Sequence, residues 1–209
     1  MNETENRHDM SLMLAVHDAL RREAKLLLRH LREGARGVDL RASSGREILG
    51  KALHAHHAAE DEALFPALLE KVKDRPVECS RVLALEAEHA RLDAAFERLG
   101  RLLSDPDGSR EEQIGAAEDF ERILVEHIAH EEEVLPLVDR HLSAEEWSTY
   151  AMTSAEKNGA EAPRILPWML VGATAERIEA VVSLLPVPVR VVLKEQWLPA
   201  YERRRLWHE

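Results

Sequence analysis

Six residues of this chain have types and spacings that could do chemistry together: His17, His56, Glu60, His89, His127 and Glu131. His56 and Glu60 stand at i and i+4, as do His127 and Glu131. On a helix that spacing sets an imidazole and a carboxylate one turn apart on the same face. One such turn can offer a nitrogen to one metal ion and a carboxylate that bridges to a second. All six fall in register with apolar residues at helical spacings: Met13, His17, Leu20 and Leu27; Leu49, Leu53, His56, Glu60 and Ala63; Leu85, His89, Leu92, Phe96 and Leu99; Phe120, Leu124, His127, Glu131 and Val134. The named histidines and glutamates therefore point into a core. Two ionised glutamates in a dry core are costly unless positive charge answers them, and a metal supplies that charge. Imidazole and carboxylate without thiolate suit iron or manganese better than structural zinc, and the one cysteine, Cys79, stands apart.

Each piece also has a bland reading. A lone inward histidine is commonly a satisfied core residue, and one His-x-x-x-Glu is unremarkable in a Glu-rich chain. The combination of four inward histidines and two inward glutamates, drawn from four segments, is what points to a metal. His57 with Asp61 has the same spacing as His56 with Glu60, and proline does not separate the two pairs. Pro66 lies ten residues after His56 and nine after His57, while Pro136 lies nine after His127. His57, Asp61 and His130, with His54 and Glu132, are candidates for orienting the inner imidazoles. His8, His30, His141 and His208 read as structural or surface residues.

Four long helices must position these groups. The first runs from about Asp9 to Arg32 and is followed by a glycine-containing loop, Gly34 to Ser43. Ser44 with Glu47 is a capping-box signature for the second, which reaches about Lys73. Pro76 opens the third, which ends near Leu103, and Ser104-Asp105-Pro106-Asp107-Gly108 is a turn. Ser109 with Glu112 opens the fourth, to about His141, and Ser143 with Glu146 starts a further helix. The fold expected is all-α: an antiparallel up-down four-helix bundle over residues 1–142, with residues 143–209 as an extension of short helices packed on it. In the extension, Lys157-Asn158-Gly159, Pro163, Pro167, Pro186 and Pro188 punctuate the chain, and Trp147, Trp168, Trp197 and Trp207 anchor the pieces.

Composition narrows the partners. With 39 acidic residues against 28 basic the formal net charge is −11, so a phosphate backbone is repelled and nucleic acid is not expected as a partner. Arg203-Arg204-Arg205 reads as the solvated end of a helix, where cations complement the dipole. The apolar stretches are too short or interrupted to span a bilayer, the opening residues lack the apolar run of a secretory signal, and a single cysteine suits a reducing compartment. A cytoplasmic protein without a membrane partner is the expectation.

At this point the residues resemble the haemerythrin-like, or HHE cation-binding, proteins. The matching stretches are residues 17–21, His56-His57-Ala58-Ala59-Glu60-Asp61-Glu62-Ala63-Leu64-Phe65-Pro66, Glu88-His89, and His127-Ile128-Ala129-His130-Glu131-Glu132-Glu133-Val134-Leu135-Pro136. The likeness covers residues 9 to about 142, and the tail around Leu185 to Arg190 and Tyr201 looks like the extension of longer bacterial members. It implies a di-iron centre with an oxo or hydroxo bridge, His17, His56, His89 and His127 as terminal ligands, and Glu60 and Glu131 as bridges. It favours His56 and Glu60 over His57 and Asp61, because the ligand glutamate comes first in the acidic pair.

Oxygen-carrying members have another histidine one turn before the helix-three ligand. That position is Leu85 here, so the chain looks more like bacterial members linked to nitric oxide and iron-sulfur repair. Four imidazoles, two bridging carboxylates and a bridge fill about ten of about twelve octahedral positions, leaving roughly one on each iron for a small ligand. The function expected is binding of, or reaction with, O2, NO or H2O2, with Phe65, Phe96 and Phe120 lining the approach. An oxidase or oxygenase acting on an organic substrate, which would make the chain an oxidoreductase, and an iron- or oxygen-sensing module are the alternatives.

Overall fold

A computed structural model describes residues 8–203. Trp207, His208, Arg204 and Arg205 lie outside the described residues. Helices account for nearly all of the described chain and it contains no strand. The long elements are α1 (Ser11–Glu33), α3 (Ser44–Ala59), α4 (Phe65–Val72), α5 (Pro76–Ser104) and α6 (Arg110–His141). A one-turn helix, α2 (Gly37–Ala42), stands in the stretch expected to be loop. α1 stops at Gly34, whose φ of 113° is open to glycine and strained for other residues, with Ala35 N–H donating back to the His30 carbonyl.

The second long helix is capped one residue earlier than its sequence signature suggests. Ser43, in extended conformation, accepts from the Arg46 N–H, and Ser44 is already the first helical residue. Ser109 accepts from Glu112 N–H to open α6, but the reciprocal arm of a capping box forms only at Ser143, where Glu146 accepts from the Ser143 N–H at 2.8 Å. α3 continues into α4 through a π-helical turn, Glu60–Leu64. A π turn takes up one more residue than an α turn. It explains the proline spacing: six residues separate Glu60 from Pro66, against five from Glu131 to Pro136. The extra residue falls after Glu60, so the four-residue step from His56 to Glu60 stays α-helical.

α6 packs chiefly on α5 and α1, and α3 lies against α1. Two apolar clusters result. Leu20, Leu27, Leu53, Leu92, Phe120 and Leu124 belong to one, and Met13, Leu64, Leu68, Leu85, Val134 and Val138 to the other. Each fully buried leucine of this kind stabilises the fold by about 1.5–3 kcal/mol. The histidines and glutamates sit in sequence between members of the two clusters on α1, on α3 with its π turn, on α5 and on α6, forming a polar layer between two apolar halves.

The remaining helices are α7 (Ala144–Asn158), α8 (Ala162–Leu170), α9 (Ala175–Leu184), α10 (Val187–Val192) and α11 (Leu198–Glu202). Pro163, at the start of α8, and Pro188, at the start of α10, open helices. Pro167, expected to break the chain, lies inside α8 instead. α7 packs on α3 and on the π turn, while α8 and α9 pack on α1. Trp168 is fully buried in the main core, and its carbonyl accepts from Arg22 of α1. Arg177 of α9 pairs with Asp18 of α1 at 3.0 Å. No helix among the described residues is long and apolar enough to cross a membrane.

Candidate metal centre

All six sequence-predicted residues meet in the polar layer, each at most 5% exposed. His17, His56, Glu60 and Glu131 bring donor atoms within 4.8 Å of one another, and so, in a second group, do His57, His89 and His127. His17 Nε2 faces His56 Nε2 at 3.1 Å. The two glutamates lie across both groups. Glu60 places Oε1 3.3 Å from His56 Nε2 and Oε2 3.5 Å from His89 Nε2. Glu131 places Oε2 3.1 Å from His17 Nε2, 3.7 Å from His56 Nε2 and 3.8 Å from His127 Nε2.

His57 is the residue that sequence reasoning set outside this inner group. It is 4% exposed, its ring stacks on His89 at 3.9 Å between centroids, and it meets the His127 ring edge-on at 5.3 Å. Neither of its nitrogens has a hydrogen-bond partner among the described residues. The same holds for both oxygens of Glu60 and of Glu131, and for Nε2 of His89 and of His127. Native interiors leave few such groups unpaired. Their concentration at one point, with every atom a metal donor, fits a metal ion and fits nothing in dry packing.

Electrostatics say the same. Burial and the neighbouring Glu131 carboxylate push Glu60 well above the usual carboxylate range. Burial opposes ionisation of Glu131 too, but His17 and His56 beside it hold its pKa well below that range. Burial lowers the His56, His57 and His89 imidazoles, His89 to about 3, so all three are neutral with a lone pair to give. His17 differs: burial works against its charge, but Glu131 and Glu132 raise it to about 9.

A model of the hemerythrin HHE cation-binding domain matches residues 8–138. The chain belongs to that family. Neither a curated protein nor a solved structure matches it. The buried donor groups and the family together make this HHE domain a metal-binding one.

The outer layer of the HHE site is made of carboxylates, each fixing one inner imidazole. Asp61 accepts from His89 Nδ1 at 2.8 Å, Glu88 from His127 Nδ1 at 3.1 Å, and Glu132 from His17 Nδ1 at 3.1 Å. With Nδ1 donating outward, Nε2 is the nitrogen left to face the centre, and at His17 it becomes a metal donor once the ring gives up the proton that Glu131 and Glu132 favour. His130 lies outside the inner group and gives its Nδ1 to the other oxygen of Glu88 at 2.8 Å. Arg21 clamps Glu132 through both terminal nitrogens, at 2.8 and 3.0 Å. Glu88 and Arg21 fall in the stretches that carry the family resemblance but were given no role from sequence, although each adjoins or lies one turn from a predicted histidine. His54 is exposed, and Phe96 contacts Phe120 and Arg46, leaving Phe65 as the phenyl ring against the site, 5.4 Å from His89. Tyr150 of α7 is buried close enough to feel Glu60 and Glu131, which add to burial in raising its phenol.

Proposed function

We propose that this chain is a non-haem di-iron protein, built as an up-down four-helix bundle, that binds or reacts with a small oxidant: O2, NO or H2O2. The observation that carries the reading is the division of seven buried donor residues into two facing groups spanned by Glu60 and Glu131. One metal position is offered His57, His89 and His127, and the other His17 and His56, with the two carboxylates shared. Two iron ions held there would supply redox chemistry at an exchangeable coordination position.

The chain's own contribution is positional. Asp61, Glu88 and Glu132 keep three Nε2 lone pairs aimed inward, and Phe65 with the flanking leucines excludes bulk water. The fifth imidazole changes the coordination count inferred from sequence. With five imidazoles and two shared carboxylates to hold two irons, the side of His17 and His56, which has one imidazole fewer than the side of His57, His89 and His127, would leave room for an exchangeable small ligand.

Metal analysis of protein from iron-supplemented cells, with optical spectra in air and after adding peroxide or nitric oxide, tests the reading. About two irons per chain and near-ultraviolet absorption that responds to one of these ligands support it. One zinc per chain, or a spectrum indifferent to all of them, refutes it.

A further inference from the structure

A cavity of about 510 Å³ opens where the α2–α3 junction meets α5, and none of the seven buried donor residues lines it. Its walls are unusual for a chain with a net charge of −11. Arg46, in the first turn of α3, is 8% exposed and lays its guanidinium over the Phe96 ring at 4.4 Å. Its Nε is buried without a hydrogen-bond partner among the described residues. Arg41, at the end of α2, stands beside it, and among the described residues neither arginine has a carboxylate within 4.0 Å. Glu47 also borders the cavity, but its oxygens are committed to Arg164 at 3.1 and 3.0 Å and to Lys51 at 2.8 Å. Lys51 in turn reaches Glu161 at 2.7 Å. That network balances itself and leaves two guanidinium charges unanswered.

The backbone is shaped to hold this arrangement. A Cβ at Gly100 would collide with Arg46 Nη2, and one at Gly50 would lie 2.8 Å from the Phe96 ring, so glycine at both places makes room for the seated pair. The 16-residue helix α3 begins here, adding the partial positive charge of its N-terminus. Burial, with the neighbouring Arg41, pushes the Arg46 guanidinium down to about 10, the direction expected of a buried cation lacking its counter-ion. Desolvating a guanidinium is costly unless an anion meets its fork.

We propose that this pocket binds a phosphate-type oxyanion, free or carried by a small metabolite, between Arg41 and Arg46 at the start of α3. Two unanswered positive charges and a helix N-terminus match a dianion, and guanidinium forks meet its oxygens in pairs. The cavity leaves space for an organic remainder beside Phe96. The inference does not depend on the metal reading.

Isothermal titration of the metal-loaded protein with inorganic phosphate and with ribose 5-phosphate, at low salt, tests it in the parent, Arg46→Met and Arg41→Gln. A saturable site in the parent, weakened about 10-fold to 100-fold by each substitution, is the result expected for loss of a charge-assisted contact. Tighter binding of the ester points to a metabolite, and equal binding to the free ion. Arg41 is exposed, so Arg41→Gln keeps the test valid if Arg46→Met fails to fold. Absence of saturable binding in the parent overturns the proposal. So does binding that ignores the arginine substitutions and disappears when the metal is stripped, since the anion would then sit on the metals.

Discussion

Replacing His57 by phenylalanine should move stability in opposite directions with and without metal. In the metal-free chain both ring nitrogens are buried without partners, and an unsatisfied buried polar group costs about 1–3 kcal/mol. Phenylalanine keeps the ring that stacks on His89 at 3.9 Å and removes both nitrogens, while its greater bulk returns roughly 1–3 kcal/mol as overpacking. Two nitrogens make the relief roughly 2–6 kcal/mol, so after overpacking the metal-free variant should be more stable than the parent by about 1–3 kcal/mol, or roughly 2–12 °C in Tm for a chain of this size. With iron the sign reverses. Even residues that only orient ligands cost about 10-fold to 100-fold in metal affinity, so loss of an inner imidazole should exceed the upper figure, about 2.7 kcal/mol. Calorimetric melting of stripped and iron-loaded protein, with iron per chain, reads both effects. If His57→Phe loads the same iron with the same spectrum, His57 is not a donor. If the stripped variant melts lower than the parent, the unpaired nitrogens are not the burden inferred here.

Glu88→Gln should weaken metal binding about 10-fold to 100-fold in competition with a chelator, because it fixes His127 without touching the metal; unchanged affinity would remove it from that role. Trp168→Ala should cost about 3–5 kcal/mol in denaturant unfolding with one cooperative transition, and a separate early transition would show that α8 does not share the main core. Lys71, then Ser143, hold the Glu146 carboxylate down to about 2 against an ordinary 4.5. A carboxylate lowered in the folded state stabilises fully above its ordinary pKa and loses that contribution as pH falls through the folded value. The stability gap between parent and Glu146→Gln should therefore be complete above pH 4.5 and close towards pH 2; a gap independent of pH would place the effect elsewhere.

Local sequence carried much of this protein. Helical spacing of three and four identified the inward faces, and His17, His56, Glu60, His89, His127 and Glu131 all reach the polar layer because register on a helix is a short-range property. Capping serines and Pro76 located the helix starts to within a residue or two, since those signals act on the adjacent turn. Pro167 misled: it lies inside α8, past the first turn, and the helix persists because burial of the adjoining Trp168 in the main core outweighs the lost backbone hydrogen bond.

What only the tertiary structure decided concerns which neighbours each face meets. His57 is some 100° around the helix from His56 and looks peripheral on one helix considered alone. Packing of α3 on α1 and α7 buries both residues, and the folded bundle sets the His57 ring on that of His89 from α5. The π turn after Glu60 could not be read from a spacing that two alignments satisfied equally. The partners of Nδ1 are likewise long-range: Glu88 and His127 lie on different helices, as do Asp61 and His89, and no periodicity within one segment encodes that pairing. Sequence thus determined which residues face inward, while the packing of separate helices determined which inward residues touch. Helical period is set by bonds four residues apart, whereas side-chain partnership is set by the folding of the whole chain.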